Sequence, residues 1–190
     1  MNAAELERVV QTTRFRVLLT ASPDSCIASC RALRDTLRWL GVSTRPLQVS
    51  AITGNRAWLE QTLAGKPMEE PAHSVGLGVP RPGTAEGHRH LVLLSEDRLF
   101  DPSLDQARRE PHGILAEPLV LEVSPEERKS LLTGTGSVGA ALDGWAVLYH
   151  GWPKEKWYTT SPNWGKRDRG VNEQMVREII RALREQGIGA

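Results

Sequence analysis

Two cysteines, Cys26 and Cys30, stand four residues apart at the head of an apolar stripe. A nucleophilic thiolate needs a general base or imidazolium partner, and that imidazole is usually oriented by a third group. Both partners are found downstream. His90 opens the run HLVLL and Asp101 closes the run RLFD. The turn Ser22-Pro23-Asp24-Ser25 precedes the cysteines. Capping by Ser22 with Pro23 at the first helical position, or capping by Asp24, puts Cys26 in the first turn of a helix. Its sulfur then lies near unpaired N–H groups and the positive end of the helix dipole, which favours the thiolate. Cys30 lies one turn further on, away from those groups, and is expected to be the packed, inert member of the pair. The plainer alternative is that both are small core residues, as free cysteines commonly are.

Counting residues brings the other two partners together. If 90–94 and 98–101 form a hairpin with Leu94 opposite Leu99, partner numbers sum to 193. Val92 then faces Asp101, and His90 faces Ser103. Alternate residues share a face, so His90 and Asp101 become diagonal neighbours on one side of the sheet. A one-residue slip would put them on opposite faces. His88 is the substitute base, two residues earlier, and Asp105 the alternative acid, opposite His88 in the same register. The plainer alternative makes His90 an edge histidine and Asp101-Pro102 a turn start.

Cys26, Cys30, Leu33, Leu37 and Leu40 recur at steps of four, three, four and three, the stripe of a buried helix face ended by Gly41. Residues 3–11 predict a short helix, followed by an apolar stretch from Phe15 to Leu19. Pro46 to Ile52 predicts a strand, and Asn55 to Leu63 a helix ending at Gly65. The segment SVGLGV predicts a strand among loops, and Leu119 to Val123 a further strand. Ser124-Pro125-Glu126-Glu127 is a capping-box start for a helix to about Leu132. TGTGSVGA (133–140) is expected to be a flexible connection, Trp145 to His150 a strand, and Asn172 to about Glu185 a closing helix. Helices and strands mix without regular alternation, so the fold expected is α+β, with the cysteine-bearing helix packed on an antiparallel sheet. A length of 190 residues suits one domain, 1–190.

Composition narrows the partners. The 24 basic and 23 acidic side chains leave a net charge of +1, without the basic excess usual in a nucleic-acid binder. No apolar run approaches the length of a transmembrane helix, and MNAAELERVV does not resemble a secretory signal. Two closely spaced cysteines make no disulfide framework, so a cytoplasmic setting with reduced thiols is expected. His88 and His90 lack further ligands at zinc spacing, and GTGSVG (134–139) lacks the Lys-Ser/Thr of a phosphate loop, so neither metal nor cofactor is expected. Lys166, Arg167 and Arg169 suit a solvated basic face. Among Trp145, Trp152, Trp157 and Trp164, the first is expected in the core. The others are expected to pin an irregular loop rather than wall an acyl or peptide pocket.

The order Cys26, His90, Asp101 resembles the papain-like superfamily, most of all its transglutaminase-like and arylamine N-acetyltransferase-like branches. The stretches that carry the likeness are DSCIASCRALRDTLRWLGVSTRPLQV (24–49) and GHRHLVLLSEDRLFDPSLDQA (87–107). In that group a nucleophilic cysteine begins a helix that runs to a Leu-Gly pair and a strand. A histidine then starts a strand, and an aspartate follows in an (F/I/V)-D-P-(S/T) stretch. The resemblance implies a papain-like, transglutaminase-like fold with Cys26 as nucleophile, His90 as base and then acid, and Asp101 as orienter of the imidazole. The chain has no RGGxC signature, and Thr20 stands where papain has a glutamine, six residues before the cysteine. Residues 108–190 lie outside the resemblance. Two functions follow as expectations: a cysteine-dependent acyl-transfer enzyme acting on a peptide, a protein or a small acyl donor, or a non-catalytic module that binds a peptide or protein in the same groove.

Overall fold

The computed structural model describes residues 1–20, 26–79, 89–153, 157–161, 164 and 169–189, with the backbone alone at 157 and 169. The expected caps at 22–25, together with His88, Lys166 and Arg167, lie outside the described residues, as do the side chains of Trp157 and Arg169.

Helix α1 spans Ala3–Leu18 and starts at a capping box, in which Asn2 accepts from the Glu5 N–H and Glu5 accepts from the Asn2 N–H. It is longer than the expected 3–11. Thr13, Arg14 and Val17 continue its buried face, while Phe15 and Leu19 point outward at 61% exposure each. The apolar 15–19 stretch is thus mostly the end of a helix whose inward positions include polar residues, which hides its periodicity. Arg14 is held there by Asp105, at 2.9 and 3.1 Å, and by Ser29 at 3.2 Å.

Helix α2 spans Cys26–Trp39 and buries Cys30, Leu33 and Leu37. Gly41 ends it at φ +80°, a conformation glycine adopts without steric cost, and the Val42 N–H closes back on the Leu37 carbonyl at 2.8 Å. Next come β1 (Arg45–Asn55), α3 (Arg56–Leu63), capped by the Asn55 side chain, and β2 (Ser74–Leu77). The strands β3 (His90–Leu94) and β4 (Arg98–Asp101) follow with the expected bounds. The rest is β5 (Leu119–Glu122), α4 (Pro125–Thr133) with its capping box, β6 (Ser137–Leu142), β7 (Trp145–Gly151) and α5 (Arg169–Glu185).

All seven strands join one antiparallel sheet in the order β5-β4-β3-β1-β7-β6, with β2 also on β1. Strand β1 organises it. One edge takes β7 along residues 49–55, and the other takes β3 along 45–49 and then β2 along 51–54. The fold class is therefore α+β, and α2 lies on the antiparallel sheet.

Every residue of β3 is buried, so its two faces serve two apolar clusters. Leu91, Leu93 and Phe100 pack with Leu33 and Leu37 of α2 and with buried residues of α1 and α5. Val92, Leu94 and Leu99 pack on the other side with Leu47, Val49, Ala51, Val147 and Leu131. Burying a Leu or Val side chain stabilises by roughly 1.5–3 kcal/mol, so the strands are held from both faces without help from polar groups.

The 133–140 segment departs from expectation. Gly134 ends α4 in the left-handed region at φ +69°, and β6 starts only three residues later. Its glycines mark close backbone approach as well as turning, because a Cβ on Gly139 would lie 2.3 Å from the Val147 carbonyl oxygen.

Candidate active site

The β3–β4 register is the one that places His90 and Asp101 on one face: Leu94 pairs with Leu99 and Leu93 with Phe100. The β3–β4 ladder ends at the Leu93–Phe100 pair, just before Asp101. Pro102 offers no N–H to continue it, and the chain turns into a short 3-10 segment, Leu104–Ala107. The expected Val92–Asp101 and His90–Ser103 pairings accordingly do not extend the hairpin, and the His88–Asp105 pairing lies outside the described residues. Ser103 instead turns its N–H onto an Asp101 oxygen at 3.1 Å, and Asp105 is the partner of Arg14 rather than a second acid for the histidine.

His90 and Asp101 meet directly. A carboxylate only accepts, so the ring nitrogen between them carries the hydrogen. Nε2–H of His90 donates to both Asp101 oxygens, at 2.9 and 2.8 Å. The side chains are 2% and 0% exposed, so bulk water does not screen this contact. Asp101 accepts a further bond, at 3.0 Å, from the hydroxyl of Tyr149 on β7. A fully buried carboxylate thus receives an imidazole, a phenol and a backbone N–H, which together offset the cost of removing it from water.

Cys26, partly buried at the start of α2, is the other group that acts on this imidazole, and it favours the charged ring. With Nε2 taken by Asp101, Nδ1 is the ring nitrogen left for proton exchange. Burial of His90 works against its charged form. The Asp101 carboxylate, through its charge and its hydrogen bond, outweighs that, with further help from Cys26, and the histidine is pushed up to about 10. As the first residue of α2, Cys26 also carries a backbone N–H with no partner inside the helix.

Cys30 has a different setting. It is fully buried, and its thiol donates to the Leu91 carbonyl at 3.0 Å. Burial pushes this thiol well above its ordinary value, reinforced by the charges of Cys26 and Asp101 and opposed by Arg14. Such a group stays protonated and packed.

The backbone around His90 is fitted closely. Gly78, just past β2, adopts φ +65°, and a Cβ there would lie 2.1 Å from the His90 nitrogen and 2.8 Å from the Val49 carbonyl oxygen. No side chain fits that approach, so Gly78 fixes where β3 begins. Arg89 stacks its guanidinium 4.1 Å above the Trp152 ring, whose Nε1–H donates to Ser50 at 2.9 Å. Trp164 packs edge-on against Tyr158 and beneath Arg34, and Trp145 is buried. Trp145 is thus in the core, as expected. Thr20 donates its hydroxyl to the Val17 carbonyl at 3.3 Å.

Tyr149 is the residue that reading the sequence missed. WAVLYH predicts its strand, but only the β1–β7 register, with Tyr149 opposite Ala51, carries the phenol toward Asp101. A tyrosine among buried β-branched and small residues was the available signal, since a buried hydroxyl needs a partner.

Comparison of the chain with protein-family models, with curated proteins and with solved structures found no match. Among the described residues, no helix is long and apolar enough to cross a membrane.

Proposed function

We propose that this chain is a cysteine-dependent acyl-transfer enzyme of the papain-like, transglutaminase-like kind. The observation that carries the reading is the buried His90–Asp101 pair, whose imidazole also feels Cys26 at the start of α2. The Cys26 thiolate attacks the carbonyl carbon of an amide or thioester, forming a C–S bond. The imidazolium gives its Nδ1 proton to the departing amine or thiol as the C–N or C–S bond breaks. His90, now neutral, takes a proton from water or an amine. That acceptor attacks the acyl-enzyme, and collapse releases the Cys26 thiolate beside a restored imidazolium. Asp101 holds one tautomer throughout and stabilises the positive ring. The Cys26 N–H is one donor for the developing oxyanion.

The test is the mass of the intact protein after incubation with a panel of acyl donors (peptide amides, simple amides and acyl thioesters). An acyl adduct is expected on the peptide that contains Cys26. If every donor leaves the mass unchanged while Cys26 remains a free thiol, the enzyme reading fails and the binding module takes its place.

A further inference from the structure

Resting on that reading, we infer that Tyr149 is a positioning residue of the same site, acting on His90 only through Asp101. The geometry sets this hydroxyl apart from ordinary core tyrosines. Asp101 is bound at one oxygen by the Ser103 N–H and at the other by the Tyr149 hydroxyl, and both oxygens also face Nε2 of His90. Two anchors on opposite oxygens fix the rotation of the carboxylate about its own bond. With both in place the carboxylate stays square to the imidazole. With one removed it is free to turn, and one of the two Nε2 contacts lengthens.

Tyr149 itself is 0% exposed, and it comes from β7, which reaches β3 only across β1. The anchor therefore ties the site to a strand separate from the β3–β4 hairpin. The Ser103 anchor is local, two residues from the aspartate, whereas the Tyr149 anchor is 48 residues away in the chain. Burial and the charge and hydrogen bond of Asp101 also hold the Tyr149 phenol well above its ordinary value, so it remains a donor at working pH. The groups that face His90 and bear on its charge are Asp101 and Cys26.

The experiment follows the His90 ring by nitrogen-edited NMR, assigned by the signal lost in His90→Gln, as pH is raised. Tyr149→Phe keeps the ring that lies opposite Ala51 and removes only the hydroxyl. In this variant His90 is expected to lose its proton roughly half a unit or more lower than in the unaltered protein, because a turned carboxylate supports the imidazolium less well. When Asp101→Asn is already present, adding Tyr149→Phe should leave the His90 titration unchanged. An unmoved or raised His90 titration in Tyr149→Phe overturns the inference, and so does an equal shift in the Asp101→Asn background. The titration needs no turnover. An unaltered protein whose Cys26 is unreactive would count against the acyl-transfer reading and leave the Tyr149 test intact.

Discussion

Cys26 and Cys30 sit one turn apart on one face of α2, and they differ in what lies beside the sulfur. The first acts on an imidazole, a group that can hold or release a proton. The second donates to the Leu91 backbone carbonyl, which can only accept. An acceptor of that kind fixes a thiol as a thiol, and burial does the rest. The helix supplies both positions with the same backbone. The difference arises from β3, which presents its first side chain to one cysteine and a mid-strand carbonyl to the other. One turn of helix therefore separates chemistry from packing.

Substitution should break the pair most visibly. Cys26→Ala is expected to abolish acyl transfer, and His90→Ala to reduce it by about 10²–10⁴-fold, the usual contribution of a positioned acid–base group. Asp101→Asn should be milder, since packing still partly orients the side chain. Cys30→Ala should retain activity. Steady-state rates with any donor that acylates the protein check all four. An active Cys26→Ala protein, or a dead but folded Cys30→Ala one, would erase the contrast.

The next effect is on stability against pH. His90 holds its proton to about pH 10 in the folded chain and to about 6.5 when unfolded. The contribution of this protonated ring is therefore whole below about pH 6.5 and is lost as pH rises toward 10. The Tm should fall across pH 7–10, by about 2–4 °C for each kcal/mol removed. His90→Gln should flatten that part of the curve. An equal fall in His90→Gln would assign the loss to other groups. The smallest effect expected is the stability cost of Cys30→Ala, about 1 kcal/mol for a lost buried hydrogen bond and a small cavity, read from denaturant unfolding.

Much of this site was legible because its parts are local. The α2 stripe, the Gly41 stop and the 193 register each follow from spacing within one or two elements, and the structure repeats them. The misses involve interactions that spacing does not encode. Arg14 is buried on α1 because Asp105 and Ser29 receive it, so polar residues interrupt a helix pattern that continues underneath. Pro102 ends the β4 ladder early, and Asp105 is held by Arg14. Glycines at 134–139 signalled freedom, whereas Gly139 serves a close strand contact. Tyr149 reaches Asp101 only through the order of strands in the sheet, and a single strand's alternation carries no trace of that order.

The contrast between the two thiols can be read in one measurement. The folded protein is treated briefly with iodoacetamide across a pH series, then denatured and digested, and the label at each cysteine is weighed by mass spectrometry. Ready labelling of Cys26 in the folded protein, with Cys30 untouched until the chain unfolds, is the result predicted for a thiolate held beside His90. Preferential labelling of Cys30, or a Cys26 that reacts only as an ordinary free thiol does, would contradict it.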